Sequence, residues 1–184
     1  MDKPEYFINN YKKFFSGDNT YKIVFKLNDY LEDNTENFLH VVNKFKEISE
    51  YVLANKEVYL LLMKWDKTQT SQDIKSSGFN EDEADSKFKL EDYKEMINPF
   101  LEEEDELICL NYNNYDFSAI KKLAEGIAGF ELGIESGLNI SIYFISFDDY
   151  PVLLNMYDDR GMEVLLEDEK AYNEIKLKFS KYLL

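Results

Sequence analysis

Three apolar runs near the C-terminal end, Ile140 to Phe147, Val152 to Tyr157 and Met162 to Leu166, are separated only by short turns. Those turns, Asp148-Asp149-Tyr150-Pro151 and Asp158-Asp159-Arg160-Gly161, are made of turn-forming residues, the second with Gly in its last position as a type I turn prefers. Connections this short join antiparallel neighbours, because a parallel crossover needs about a dozen residues or more. The chain is therefore committed to a three-stranded meander. Asp168 then caps a helix that carries Tyr172, Ile175, Phe179 and Leu183 on one face. Strands joined by hairpins and covered by helices make an α+β layer fold.

The rest of the chain supplies further layers. Phe7, Ile8, Tyr11, Phe14 and Phe15 recur at helical spacing after Pro4, and Ser16-Gly17-Asp18 should stop that helix. Tyr21 to Leu27 alternates apolar residues with Lys, as a half-buried strand does. Asp33, with Glu36 three residues on, reads as a capping box for a helix whose stripe is Phe38, Val41, Val42, Phe45, Ile48 and Val52. Val58 to Trp65 is an unbroken apolar run of strand length, the pattern of a strand buried on both faces. From Asp66 to Asp92 the signal is weak: a helical turn at Gln72 to Ser77 stopped by Gly78, and a short strand around Phe88 and Leu90. A short helix over Tyr93 to Leu101 ends at Asn98-Pro99, and Leu107 to Tyr112 is a strand. Asp116 caps a helix with Phe117, Ile120, Leu123, Ala124 and Ile127 inward. Gly126, Gly129, Gly133 and Gly137 follow, marking either close backbone packing or a fraying end. The expectation is a single domain over 1–184. It holds a mainly antiparallel sheet of five or six strands, with amphipathic helices packed on it and a C-terminal three-stranded meander closed by a helix. Phe38, Val41, Phe45, Leu60, Leu62, Ile108, Leu110, Ile142, Phe144, Leu153, Met156 and Ile175 are the expected core.

Charge narrows the partners. The chain has 37 Asp+Glu against 21 Lys+Arg, a net charge of −16. Such a field repels phosphate backbones and anionic lipid and attracts basic proteins. No nucleic-acid or membrane partner is expected, and no apolar run approaches the ~18 residues of a membrane span. The N-terminal segment has no signal-peptide pattern, so the expected compartment is the cytoplasm. The acidic runs 81–85 and 102–106 should face water, and Glu81, Asp82, Glu83, Asp85, Glu102, Glu103, Glu104 and Asp105 are candidate binding residues.

Chemistry is sparse. One Cys and one His exclude a disulfide framework and Cys-rich zinc sites, so no cofactor and no metal is expected. Cys109, inside an apolar strand, reads as an inert buried thiol. His40 falls on the polar side of its helix, with Glu36 and Lys44 as neighbours. The pairs Asp148-Asp149 and Asp158-Asp159 lie at opposite ends of one strand, roughly 25–30 Å apart at 3.3 Å per residue, and form no common acid/base site. Arg160 is the only Arg. Lys cannot present a planar fork to a carboxylate, so Arg160 either pins its turn, against Asp158 or a neighbouring acid, or meets a ligand or partner.

The stretch from Tyr143 through Leu165 resembles a family of uncharacterised bacterial proteins marked by a carboxy-terminal Y-D-D-R-G-x-(D/E)-V signature, here Tyr157 to Val164. The resemblance implies a strand, this turn and a return strand ahead of a closing helix. It makes Asp158, Asp159, Arg160 and Gly161 the most recognisable residues. It implies no activity. Small acidic domains of this kind are similar, as a class, to toxin-neutralising immunity proteins. The resulting expectation is a non-catalytic, acidic, intracellular domain that docks a basic protein such as a cognate toxin. The alternatives are an enzyme with an unrecognised carboxylate site and a housekeeping domain.

Overall fold

A computed structural model describes residues 3–16, 20–65, 67–134, 137–148 and 150–184. Its helices are α1 (Lys3–Ser16), α2 (Asn34–Leu53), α3 (Lys67–Ser77), α4 (Lys94–Ile97), α5 (Phe117–Phe130) and α6 (Glu169–Lys178). Its strands are β1 (Tyr21–Lys26), β2 (Val58–Lys64), β3 (Ser86–Lys89), β4 (Glu106–Tyr112), β5 (Ser141–Ser146), β6 (Val152–Met156) and β7 (Gly161–Leu166). All seven strands join one antiparallel sheet in the order β1-β7-β6-β5-β2-β4-β3. The α+β class, the meander β5-β6-β7 and the closing helix α6 are as the turn spacing requires. The sheet has seven strands rather than five or six.

The helix starts follow from side-chain caps. Asp33 accepts from the backbone N–H of Thr35 at 2.7 Å and of Glu36 at 3.3 Å. Asp116 accepts from Ser118 N–H at 2.9 Å and Asp168 from Ala171 N–H at 2.6 Å. Each satisfies a donor that the first helical turn leaves unpaired.

The central strands β2 and β4 are buried along their whole length. Their residues alternate between two cores. Leu60, Leu62, Ile108 and Leu110 point into a large core with Val41, Phe45 and Ile48 of α2, Leu123 and Ile127 of α5, and Ile175 of α6. Tyr59, Leu61, Met63, Leu107 and Cys109 point the other way, against Phe7, Ile8, Tyr11 and Phe14 of α1. Two apolar faces on one strand explain why Val58 to Lys64 shows no polar alternation. Of the expected core, Phe38 is only partly buried against the large cluster, and Leu153 belongs to the smaller one. The others expected there are buried in the large cluster.

Three local expectations change. The stretch of weak signal holds α3 and a 3-10 turn at Glu81–Glu83, while the short strand expected around Phe88 is present as β3. α3 extends over Lys67–Ser77 rather than one turn, and ends at Gly78 with φ +81°. Its sequence, KTQTSQDIKSS, has one large apolar residue, Ile74, so it carries no stripe for periodicity to detect. The glycines in and after α5 divide: Gly126, Gly129 and Gly137 mark close packing, with Leu138 N–H donating to Gly126 O at 2.7 Å and a Cβ at Gly126 overlapping the Leu138 side chain, whereas Gly133, at φ +69° in open space, serves the turn after the helix. Gly17 and Asp18, expected to stop α1, lie outside the described residues.

The sheet's two edges differ. Along β1, Leu184 N–H donates to Val24 O at 3.1 Å and Leu183 bridges Phe25. β3, at the far edge, is four residues long and carries Lys87 and Lys89, a short charged edge of the kind that discourages further strand pairing.

Candidate functional site

The turn Asp158 to Gly161 is built around its own acids. Asp158 Oδ1 accepts from Arg160 N–H at 2.8 Å, and Oδ2 accepts from Arg160 Nε at 2.7 Å and from its terminal guanidinium nitrogen. Both guanidinium contacts converge on one oxygen because the backbone occupies the other. The Arg160 side chain is otherwise 66% exposed. Asp159 points the opposite way: it is buried and accepts from Asn28 Nδ2, while Leu27 N–H donates to Arg160 O at 2.9 Å. The turn is thereby tied to the loop between β1 and α2. At Gly161 a Cβ would overlap the Tyr157 hydroxyl and sit 2.8 Å from Phe25 O, so close approach of β1 demands glycine there. Arg160 thus serves as a local pin, and its exposed face remains open to contact.

The acidic runs divide into structural and surface acids. Glu81 pairs with Lys64 Nζ at 2.6 Å and with Lys87. Burial opposes its ionisation, yet the hydrogen bonds from the two ammonium groups hold its carboxyl below the usual value. Asp85 accepts from Asn113 N–H at 2.7 Å, while Asp82 and Glu83 are exposed. In the second run Glu102, Glu103 and Glu104 are exposed, but Asp105 and Glu106 are buried. Asp105 accepts from Glu102 N–H at 2.8 Å, and Glu106 pairs with Lys89 at 2.6 Å. The expectation of a fully exposed run fails at these two positions because β4 begins at Glu106. Asp85 meets Asn113, the residue after β4, and Asp105 is the residue before that strand, so these two acids lie at its opposite ends.

The other candidates fall where local chemistry placed them. Asp148 accepts from Glu57 N–H at 2.7 Å, a loop contact at the end of β6 remote from Asp158; Asp149 lies outside the described residues. His40 Nδ1 lies 3.1 Å from Asp29 Oδ2, and Lys44 pairs with the other Asp29 oxygen at 2.6 Å. Cys109 is fully buried, and desolvation pushes its thiol well up. Among the described residues no group of three or more His, Cys, Asp or Glu is placed to hold a metal ion.

One feature escaped residue-by-residue reading. On the smaller-core face, where the cover of α1 and α4 ends, a groove of about 470 Å³ opens over the meander. Tyr143, Leu153 and Leu165 form its floor, α1 and α4 its walls, and Lys12 and Glu163 bring charge to it. Its floor comes from the consecutive strands of the meander and its walls from α1 and α4, far from them in sequence, so no local spacing announces it.

Comparison with curated proteins and with solved structures finds no match. Residues 7–184 match the family described as a domain of unknown function, DUF3885. The match covers nearly the whole chain, and the chain belongs to the DUF3885 family.

Proposed function

We infer that this protein is a non-catalytic, cytoplasmic binding domain that docks a basic protein, in the manner of an immunity protein neutralising a cognate toxin. The observation that carries the reading is how the acids are divided. Acids that are buried or half-buried serve the fold: buried Asp159 on Asn28 and Glu106 on Lys89, half-buried Glu81 on Lys64. The surplus at Asp82, Glu83, Glu102, Glu103 and Glu104 is exposed, within a chain of net charge −16. Long-range attraction of this kind speeds encounter and is screened beyond about 8–10 Å at physiological ionic strength. No described helix is long and apolar enough to cross a membrane.

A pull-down from the native host at low salt, repeated at high salt, tests the reading. A basic protein retained at low salt and released at high salt is the expected result. Neutralising Glu102, Glu103 and Glu104 together should then slow association and flatten its salt dependence. Unchanged on-rates at low salt for variants neutralised in both runs would remove the electrostatic reading and bring the carboxylate-enzyme alternative forward.

A further inference from the structure

The groove over the meander carries donors that the fold does not use. Lys12 reaches it from α1 and makes no ion pair among the described residues, and Tyr11 and Tyr143, whose hydroxyls make no hydrogen bond among the described residues, also line it. Burial raises the pKa of both phenols, with Tyr143 adding to the effect at Tyr11 and Glu163 at Tyr143. They are therefore protonated donors at neutral pH. The carboxylate nearby, Glu163, is already committed to Lys22 of β1. The remaining lining is apolar: Leu153 and Leu165 beneath, Phe15 and Met96 at the sides, with Phe15 50% exposed.

A cavity of 300–1,000 Å³ lined by apolar and aromatic groups, with a few convergent polar groups, is the usual form of a small-molecule site. At about 470 Å³ the groove falls in that range. Its lining combines one ammonium and two phenols with aliphatic and aromatic surface. The geometry points to a binding site for a small amphipathic anion, a carboxylate head received by Lys12, Tyr11 and Tyr143 and an aliphatic chain laid on Leu153 and Leu165. This site is separate from the acidic runs, so it stands or falls independently of a protein partner.

Decanoate is the probe, titrated calorimetrically into the full chain below its micellar concentration, with decylamine and decanol as matched controls. Decanoate should bind saturably, one per chain, and more tightly than either control. Lys12 is exposed, so Lys12→Gln should leave folding intact and weaken decanoate about tenfold, the scale of a charge-assisted hydrogen bond. Tyr143→Phe should weaken it about threefold, and Glu163→Gln should tighten it by removing a like charge. Leu165→Trp should abolish it by filling the floor, with near-ultraviolet circular dichroism confirming a native fold. Three results would overturn the site: no saturable decanoate binding, decylamine binding as tightly as decanoate, or equal decanoate affinity in Lys12→Gln and the parent chain.

Discussion

The two faces of the sheet are covered to different degrees. On one, α2, α5 and α6 lie over a continuous core, and Phe45 touches the rings of Phe117 and Phe144. On the other, α1 and the segment around α4 cover β2, β4 and part of β5, then stop short of the edge formed by β7 and β1. The first face secures the fold. The second is closed near α1 by aromatic packing, Phe7 on Tyr59 and Phe147, and open where the groove begins. A sheet that needs only one fully closed face for stability can leave part of the other for contact.

Substitutions can break or sharpen this contrast. The largest effect should come from Phe45→Ala, at about 3–5 kcal/mol for emptying a closed aromatic site. Phe15→Ala at the groove edge should cost less than about 1 kcal/mol, and equal losses in denaturant titration would mean the two faces are equally closed. Next comes Gly161→Ala. Its added methyl collides with Tyr157 and crowds Phe25 O, so a loss of about 1–3 kcal/mol should appear in the same titration. Asp159→Ala strands the buried Asn28 amide and should cost about 1–3 kcal/mol, with Asp159→Asn recovering part of it.

A smaller effect is pH-dependent. The folded-state pKa of Glu81 lies below its ordinary value near 4.5. Its contribution is therefore fully present above that value and lost as pH falls through the lower, folded-state value. Glu81→Gln should be less stable than the parent chain at pH 7, and the gap should close below about pH 4.5. A gap that persists undiminished at pH 3 would show that the pairs with Lys64 and Lys87 are not its source. The smallest effect belongs to Arg160→Lys. The backbone bond to Asp158 stays while the guanidinium contacts are lost, so melting temperature should fall slightly, as befits an exposed pin; an unchanged melting temperature with weaker partner binding would assign Arg160 a contact role instead.

Much of this fold is legible in the amino-acid order because its connections are short and its caps are local. Asp33, Asp116 and Asp168 announce their helices, and the turns at Asp148 and Asp158 force the meander. α3 was hidden because a helix with a single Ile leaves no stripe. Among the candidate site residues, Glu104 and Asp105 look alike as letters. They differ because Asp105 folds back onto Glu102 N–H just before a strand begins. Burial of a charge depends on what the loop places beside it, which spacing does not encode. The groove was invisible for the same reason: Lys12, Met96, Tyr143 and Glu163 meet only once the sheet is assembled.

The strand order also sets a schedule. β1 is made before the other described strands, yet its sheet neighbour is β7, the last of them, with Tyr21 opposite Leu166. Until the meander emerges, YKIVFK has no strand to join, and pairings this distant in sequence make for slow folding and a long exposure to aggregation. Lys22 and Lys26, spaced along that waiting strand, are charges of the kind that discourage wrong strand pairing before the sheet is complete.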